Sequence, residues 1–126
     1  MTITAHALLK ARHRRHWRLL LALLLGVVSW FAFKPALQVP MMEWPHADKL
    51  QHIAAFTTLS VVASFGWAPH ARSARHVALG LMAYGLFIEA VQTQLPSRSG
   101  SLADWAADAV GIALGLWLSQ RIRPPA

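Results

Sequence analysis

Residues 18–33 read RLLLALLLGVVSWFAF, and this stretch decides the fold because it is apolar on every side of a helix. A helix on the surface of a soluble domain instead alternates an apolar stripe with a charged face. The basic stretch KARHRRHWR at residues 10–18 leads directly into the apolar run. This order is typical of a helix that enters a lipid bilayer beside a positively charged segment.

Three more apolar runs follow, at about residues 50–68, 77–95 and 102–120, and each is about as long as a bilayer crossing requires. With a first helix at about 17–36, they predict an all-α, four-helix transmembrane bundle. We divide the chain into a basic cytoplasmic segment (1–16), a membrane domain (17–120) and a short cytoplasmic tail (121–126). The segment KPALQVP after the first helix lacks a small-x-small cleavage site, so we expect that helix to be retained.

Composition narrows the class of protein further. The 126 residues are 56% hydrophobic and only 13% charged, which is too apolar for an ordinary soluble domain. The absence of cysteine excludes disulfides, thiolate metal sites and a cysteine nucleophile. The net charge of +7 is divided among terminal and loop clusters without interleaved aromatic residues, so we expect no nucleic-acid partner.

The basic residues predict the orientation, because cytoplasmic loops of membrane proteins carry the excess of lysine and arginine. Only Lys34, Lys49 and Arg98 fall on one side of the predicted helices. The other side holds nine: Lys10, Arg12, Arg14, Arg15, Arg18, Arg72, Arg75, Arg121 and Arg123. We therefore expect both termini in the cytoplasm and the chain in the inner membrane of the cell envelope, with the lipid bilayer as its first partner.

The acidic residues all fall in the opposite, outward half of the predicted topology. Asp48 and His52 are four residues apart and share one helix face, with Lys49 directed towards water. On helix three, Glu89 and Gln92 share a face. Helix four carries Asp104 and Asp108 at the same spacing, followed along the stripe by Gly111 and Gly115, a G-x-x-x-G that lets another helix approach closely.

An ionised carboxylate in lipid is unfavourable by several kcal/mol, so these groups should face the bundle interior. We predict a ligand-binding polar cluster at outer-leaflet depth, formed by Asp48, His52, Glu89, Gln92, Arg98, Asp104 and Asp108. The structural alternative treats Asp48 and Asp104 as acids that stabilise helix N-termini, with Arg98 as their counter-charge. That alternative explains Glu89 poorly, since an acid near a helix C-terminus lies at the unfavourable end of the dipole.

The same residues form spaced motifs that resemble a known family. DKLQHIAAF at residues 48–56 contains D-K-x-x-H-x-x-A-F, EAVQTQLPSR at 89–98 contains E-x-x-Q followed by P-x-R, and residues 104–115 contain D-x-x-x-D-x-x-G-x-x-x-G. Together they resemble the VanZ-like family of small bacterial membrane proteins, over about residues 46–118. Asp108 departs from that pattern, where Asn is frequent, and Ser97 stands where Gly is common.

The resemblance implies an integral membrane protein, and the family's namesake is associated with low-level resistance to the glycopeptide teicoplanin. Nothing in this sequence specifies an antibiotic, so that role is not carried over. The molecular activity of such proteins does not follow from the motifs.

Three hypotheses of different classes remain open. In the first, the cluster binds an envelope-side polar or lipid-headgroup ligand, such as an envelope lipid or a polyprenyl-linked precursor. In the second, the chain is a small intramembrane enzyme in which Asp48 orients His52 as general base. In the third, it is a structural accessory subunit. A divalent cation is compatible with the carboxylates and one imidazole, although no residue is assigned as a metal ligand. The sequence leaves catalysis and the oligomeric state undecided.

Overall fold

The computed structural model describes the backbone of residues 3–34, 47–67, 71–96 and 100–122. It describes the side chains of the same ranges from residue 13 onwards. These ranges contain no strand, which confirms the all-α fold. The four helices are α1 (Ile3–Phe33), α2 (Ala47–Phe65), α3 (Ala71–Gln92) and α4 (Leu102–Ile122).

The helix bounds differ from the sequence-based estimates in ways that local chemistry explains. Helix α1 starts at Ile3 instead of about residue 17, because the basic segment is rich in Ala, Leu, Lys and Arg, which favour helix. Helix α2 begins three residues earlier than expected, with Asp48 in its first turn, where the helix dipole favours an acid. It ends at Phe65, and Gly66 N–H closes a turn on the Ala63 carbonyl at 3.0 Å.

Three of the helical segments in the described ranges are long and apolar enough to cross a membrane: His13–Phe33, Ala71–Gln92 and Leu102–Ile122. Helix α2 falls outside this group, because its first turns contain Asp48, Lys49, Gln51 and His52. Helices α2 and α3 each pack against the other three helices, whereas α1 and α4 make no contact with each other in the described residues.

The hydrophobic core lies between α2, α3 and α4, with α1 packed against it. Its buried members are Phe56, Leu59, Ala63, Val77, Leu81, Ile88 and Ile112. Large apolar side chains such as Leu23, Leu79 and Trp117 are exposed on the outside of the bundle, as expected for surfaces that face lipid.

The closest helix contact is between α2 and α4. A Cβ atom added at Gly111 would lie 2.6 Å from the carbonyl oxygen of Ile53, and one at Gly115 would lie 2.5 Å from that of Thr57. At Gly115 the added atom would also overlap the hydroxyl of Ser60. The two glycines therefore face the backbone of α2 across the narrowest part of the bundle.

The two ends of the bundle carry opposite charge. At one end, Arg18 Nε donates to the Gly66 carbonyl at 2.7 Å, and its guanidinium lies 4.9 Å from the centre of the Trp67 ring. Arg121 lies over Trp117 in the same manner, at 5.2 Å. The start of α2, the end of α3 and the start of α4 meet at the opposite end, where the described acidic residues lie. We call these the basic end and the acidic end.

Candidate functional site

The centre of the acidic end is a pair formed by His52 on α2 and Asp108 on α4. The distance between His52 Nδ1 and Asp108 Oδ1 is 2.6 Å, and Asp108 is fully buried. Because an ionised carboxylate only accepts hydrogen bonds, Nδ1–H is the donor to Asp108. Nε2 then has a free lone pair in the neutral imidazole and a second N–H in the imidazolium. The hypothesis from sequence gave the orienting role to Asp48. The distances give it to Asp108, because Asp48 Oδ1 lies 3.8 Å from Nε2.

Glu89 closes the site from α3. Its Oε2 accepts a 2.8 Å hydrogen bond from the backbone N–H of Ser101, immediately before α4. Its Oε1 lies 3.8 Å from His52 Nε2, is buried, and has no hydrogen-bond partner among the described residues. The two carboxylate oxygens of Glu89 thus differ: one is bound to the start of α4 and the other faces the imidazole.

The mouth of the cluster is formed by Asp48, Lys49 and Asp104. The Asp48 and Lys49 side chains are 36% and 48% exposed, whereas the Asp104 side chain is only 4% exposed. Lys49 Nζ lies 3.4 Å from Asp104 Oδ1, so its ammonium is an ion-pair partner within the cluster as well as a group at the water boundary. A line of polar groups therefore runs from the surface at Asp48 to the buried face of Glu89.

Two of the seven predicted cluster residues, Gln92 and Arg98, are not among those that the structure brings together around His52. The Gln92 side chain is buried, and its amide donates to the Ala32 carbonyl of α1 at 3.0 Å, so this group binds α3 to α1. Arg98 lies outside the described residues, as does Glu43. The other five, Asp48, His52, Glu89, Asp104 and Asp108, lie together in the structure, with the four carboxylates around the imidazole of His52.

Sequence reasoning missed two residues that shape the site. Ser101 accepts from the Asp104 N–H through its hydroxyl at 3.0 Å, as a helix N-cap does, and the spacing Ser-x-x-Asp was the available signal. Gly85 lies one turn before Glu89 on α3, and a Cβ there would lie 2.6 Å from Asp108 Oδ2. A glycine four residues before an intramembrane acid therefore makes room for a carboxylate from α4.

The chemistry of the group is that of hydrogen-bond acceptors around one imidazole. Two sets of residues have potential metal-ligand atoms within 4.8 Å of one another: Asp48, His52 and Asp104, and His52, Glu89 and Asp108. An imidazole oriented by a carboxylate can act as a base, as a metal ligand or as a partner for a polar ligand.

Fold and site together define a small helical membrane protein with a buried histidine–carboxylate cluster at one end. The VanZ/LLP1 family model matches residues 6–123, nearly the whole chain, so the chain belongs to the VanZ/LLP1 family, as the spaced motifs predicted. No curated protein and no solved structure gave a significant match to it.

Proposed function

We propose that this chain is an integral inner-membrane protein of the cell envelope that binds a polar lipid headgroup through the cluster at its acidic end. The observation that carries the proposal is the line of polar groups from surface to interior. His52 Nε2 lies 3.8 Å from the half-exposed Asp48 on one side and 3.8 Å from the buried Glu89 on the other. A headgroup at the membrane surface can reach Asp48 and, deeper in the cluster, Glu89.

The distribution of charge supports placing the acidic end at the outer leaflet. The arginines of the described helices, including Arg18, Arg72 and Arg121, lie at or near the basic end, and cytoplasmic segments carry such residues. In this orientation both termini are cytoplasmic and the cluster faces the envelope.

The chain offers a clean test of orientation because it contains no cysteine. We expect a single cysteine at Ala126 to resist a membrane-impermeant maleimide in intact cells, and one at Ser97 to react. The opposite labelling pattern would place the cluster on the cytoplasmic side and refute the proposal of an envelope-side ligand.

Headgroup binding is tested by native mass spectrometry of the purified chain with phosphatidylethanolamine, phosphatidylglycerol or a polyprenyl phosphate. We expect one lipid to be retained preferentially and that adduct to be lost in His52→Ala. His76→Ala is the matched control, because His76 is exposed near the basic end of α3. His52→Gln, which can still donate to Asp108, serves if the alanine variant does not fold. A folded His52 variant that keeps every adduct would refute the proposal.

One observation favours a second candidate, a small intramembrane enzyme. The 2.6 Å contact between His52 Nδ1 and Asp108 fixes the tautomer that presents Nε2 as a base. In such an enzyme, Asp108→Asn would lower turnover of a lipid substrate with little change in lipid binding. A variant that loses binding and turnover in equal measure would favour the binding protein.

A further inference from the structure

We propose that the acidic end holds one divalent transition-metal cation between His52 Nε2 and Glu89 Oε1, with Asp108 as the residue that positions the imidazole and the remaining coordination positions open to water or a headgroup. The inference deepens the proposed function and rests on it for the role of the ion, which is to present a positive site to the phosphate of a headgroup. Binding of the ion itself is measurable without any lipid.

The first argument is the excess of acceptors. Three buried carboxylates, Glu89, Asp104 and Asp108, lie around one imidazole, and Lys49 Nζ lies 3.4 Å from one of them, Asp104. Buried carboxylates need a counter-charge or a donor, and a phosphate brought to this site would be repelled. A bound cation removes both difficulties.

The second argument is the buried oxygen of Glu89. Its side chain is only 7% exposed, and Oε1 points towards His52 Nε2 without accepting a hydrogen bond from any described group. When the imidazole is neutral and donates Nδ1–H to Asp108, Nε2 is an acceptor as well. Two buried acceptors that face each other across 3.8 Å are joined either by a proton on the imidazole or by a metal cation, and metal binding by the purified chain distinguishes the two.

The distances are close to what coordination requires. In a tetrahedral site with ligands about 2.0–2.2 Å from the metal, neighbouring ligand atoms are roughly 3.4 Å apart. Nε2 lies 3.8 Å from Glu89 Oε1, so a change of about 0.4 Å in the distance between these two atoms suffices. Asp48 Oδ1 also lies 3.8 Å from Nε2, at the partly exposed mouth of the cluster, where the ion is open to a headgroup.

Asp108 completes the arrangement as a positioning residue. Metal-binding histidines almost always donate their second ring N–H to a carboxylate or carbonyl, which fixes the tautomer and raises the basicity of the ligating nitrogen. The 2.6 Å contact of His52 Nδ1 with Asp108 is of this type. One imidazole with carboxylates suits Zn²⁺ or Mn²⁺ better than Mg²⁺ or Ca²⁺, which prefer oxygen ligands alone.

The test uses the purified full chain in detergent, stripped with chelator and titrated with Zn²⁺, Mn²⁺ or Mg²⁺, with metal content measured by elemental analysis. We expect about one Zn²⁺ or Mn²⁺ per chain, the stoichiometry that one histidine-centred site allows, and no comparable binding of Mg²⁺. Asp108→Asn should weaken binding by about 10–100-fold, as loss of such a hydrogen-bonding partner does elsewhere.

Glu89→Gln is the most informative variant. Its amide oxygen can still accept from Ser101 N–H, while its NH₂ group, which cannot ligate, takes the place of Oε1. We expect it to bind metal at least as weakly as Asp108→Asn, and to lose the rise in thermal stability that metal gives the unmodified chain. His76→Ala should match the unmodified chain in both respects.

Each outcome decides the question. No bound ion in the unmodified chain, or metal binding in Glu89→Gln and Asp108→Asn as tight as in the unmodified chain, overturns the inference. If His76→Ala loses as much metal binding as the cluster variants do, the inference is also overturned, because binding of the ion would then not depend on the cluster. Lipid retention that persists in chelated protein would overturn the role of the ion and leave the proposed function intact. Metal binding without lipid retention would support the metal site and refute headgroup binding.

Discussion

Substituting alanine at Gly111 should separate α2 from α4 and destabilise the protein. The new Cβ would lie 2.6 Å from the Ile53 carbonyl oxygen, 3.0 Å from the Phe56 Cβ and 3.1 Å from the Thr57 nitrogen. These are mostly backbone atoms, which cannot turn away as a flexible side chain can. Ordinary contact begins at 3.4 Å, so the Ile53 carbonyl and the new methyl group must move apart by about 0.8 Å.

The magnitude follows from two opposing effects. Overpacking in a close contact is unfavourable by about 1–3 kcal/mol. Replacing glycine by alanine inside a helix is favourable by roughly 0.5–1 kcal/mol, because the unfolded chain loses freedom. We therefore expect Gly111→Ala to lower the free energy of unfolding by about 1–2 kcal/mol.

Gly80 and Gly26 provide the matched controls, since a Cβ at either position meets nothing within 4 Å. Gly80→Ala lies in α3 and should raise stability by about 0.5–1 kcal/mol. The assay is unfolding in detergent, followed by circular dichroism for the three variants and the unmodified chain. If Gly111→Ala is as stable as Gly80→Ala, the described approach of α2 to α4 is incorrect.

Three other substitutions test particular side-chain contacts by the same unfolding assay. Tyr84→Phe removes the 3.0 Å hydrogen bond to the Leu25 carbonyl and the contact of the same hydroxyl with Ser29 Oγ, and should lower stability by about 0.5–1.5 kcal/mol for each hydrogen bond lost between α3 and α1. Ser101→Ala removes the N-cap of α4 and should lower it by about 1 kcal/mol. Lys49→Met should change it by less than about 1 kcal/mol, because the ammonium that pairs with Asp104 is half-exposed and solvent screens the pair.

The fold could be predicted from the sequence because bilayer length and apolarity act on each segment separately. The runs at residues 18–33 and 102–120 are recognisable without knowledge of their neighbours. The start of α1 was harder to predict. The charge of the basic segment 10–18 is typical of a segment that flanks a membrane helix, whereas its helix propensities favour continuation of the helix through it. Nor does any local pattern reveal that, among the described residues, α2 and α3 each pack against all three other helices, whereas α1 and α4 do not.

Five of the seven predicted cluster residues lie together in the structure, but the contacts among them could not be predicted. Spacing placed Asp48 with His52 and Asp104 with Asp108, but helix geometry within one element says nothing about rotation between elements. The enzyme hypothesis therefore named Asp48, the neighbour in sequence, as the group that orients His52, whereas Asp108 on α4 is the closer group. Gln92 shares a face with Glu89 by spacing, yet its amide contacts α1. A difference of three residues rotates a side chain far enough to reach another helix.

Glu89 shows how one residue can support the fold and serve a site through different atoms. Its Oε2 accepts from Ser101 N–H and thereby connects the end of α3 to the start of α4, whereas Oε1 faces His52 Nε2. Glu89→Ala would remove both and leave the Ser101 N–H without its acceptor, which is unfavourable by about 1–3 kcal/mol. Glu89→Gln keeps the first contact and changes the second. If the residue is solely structural, the glutamine variant should behave as the unmodified chain in every assay. If Oε1 belongs to a binding site, the glutamine variant should fold normally and lose the ligand, because only the buried oxygen that faces the imidazole has changed.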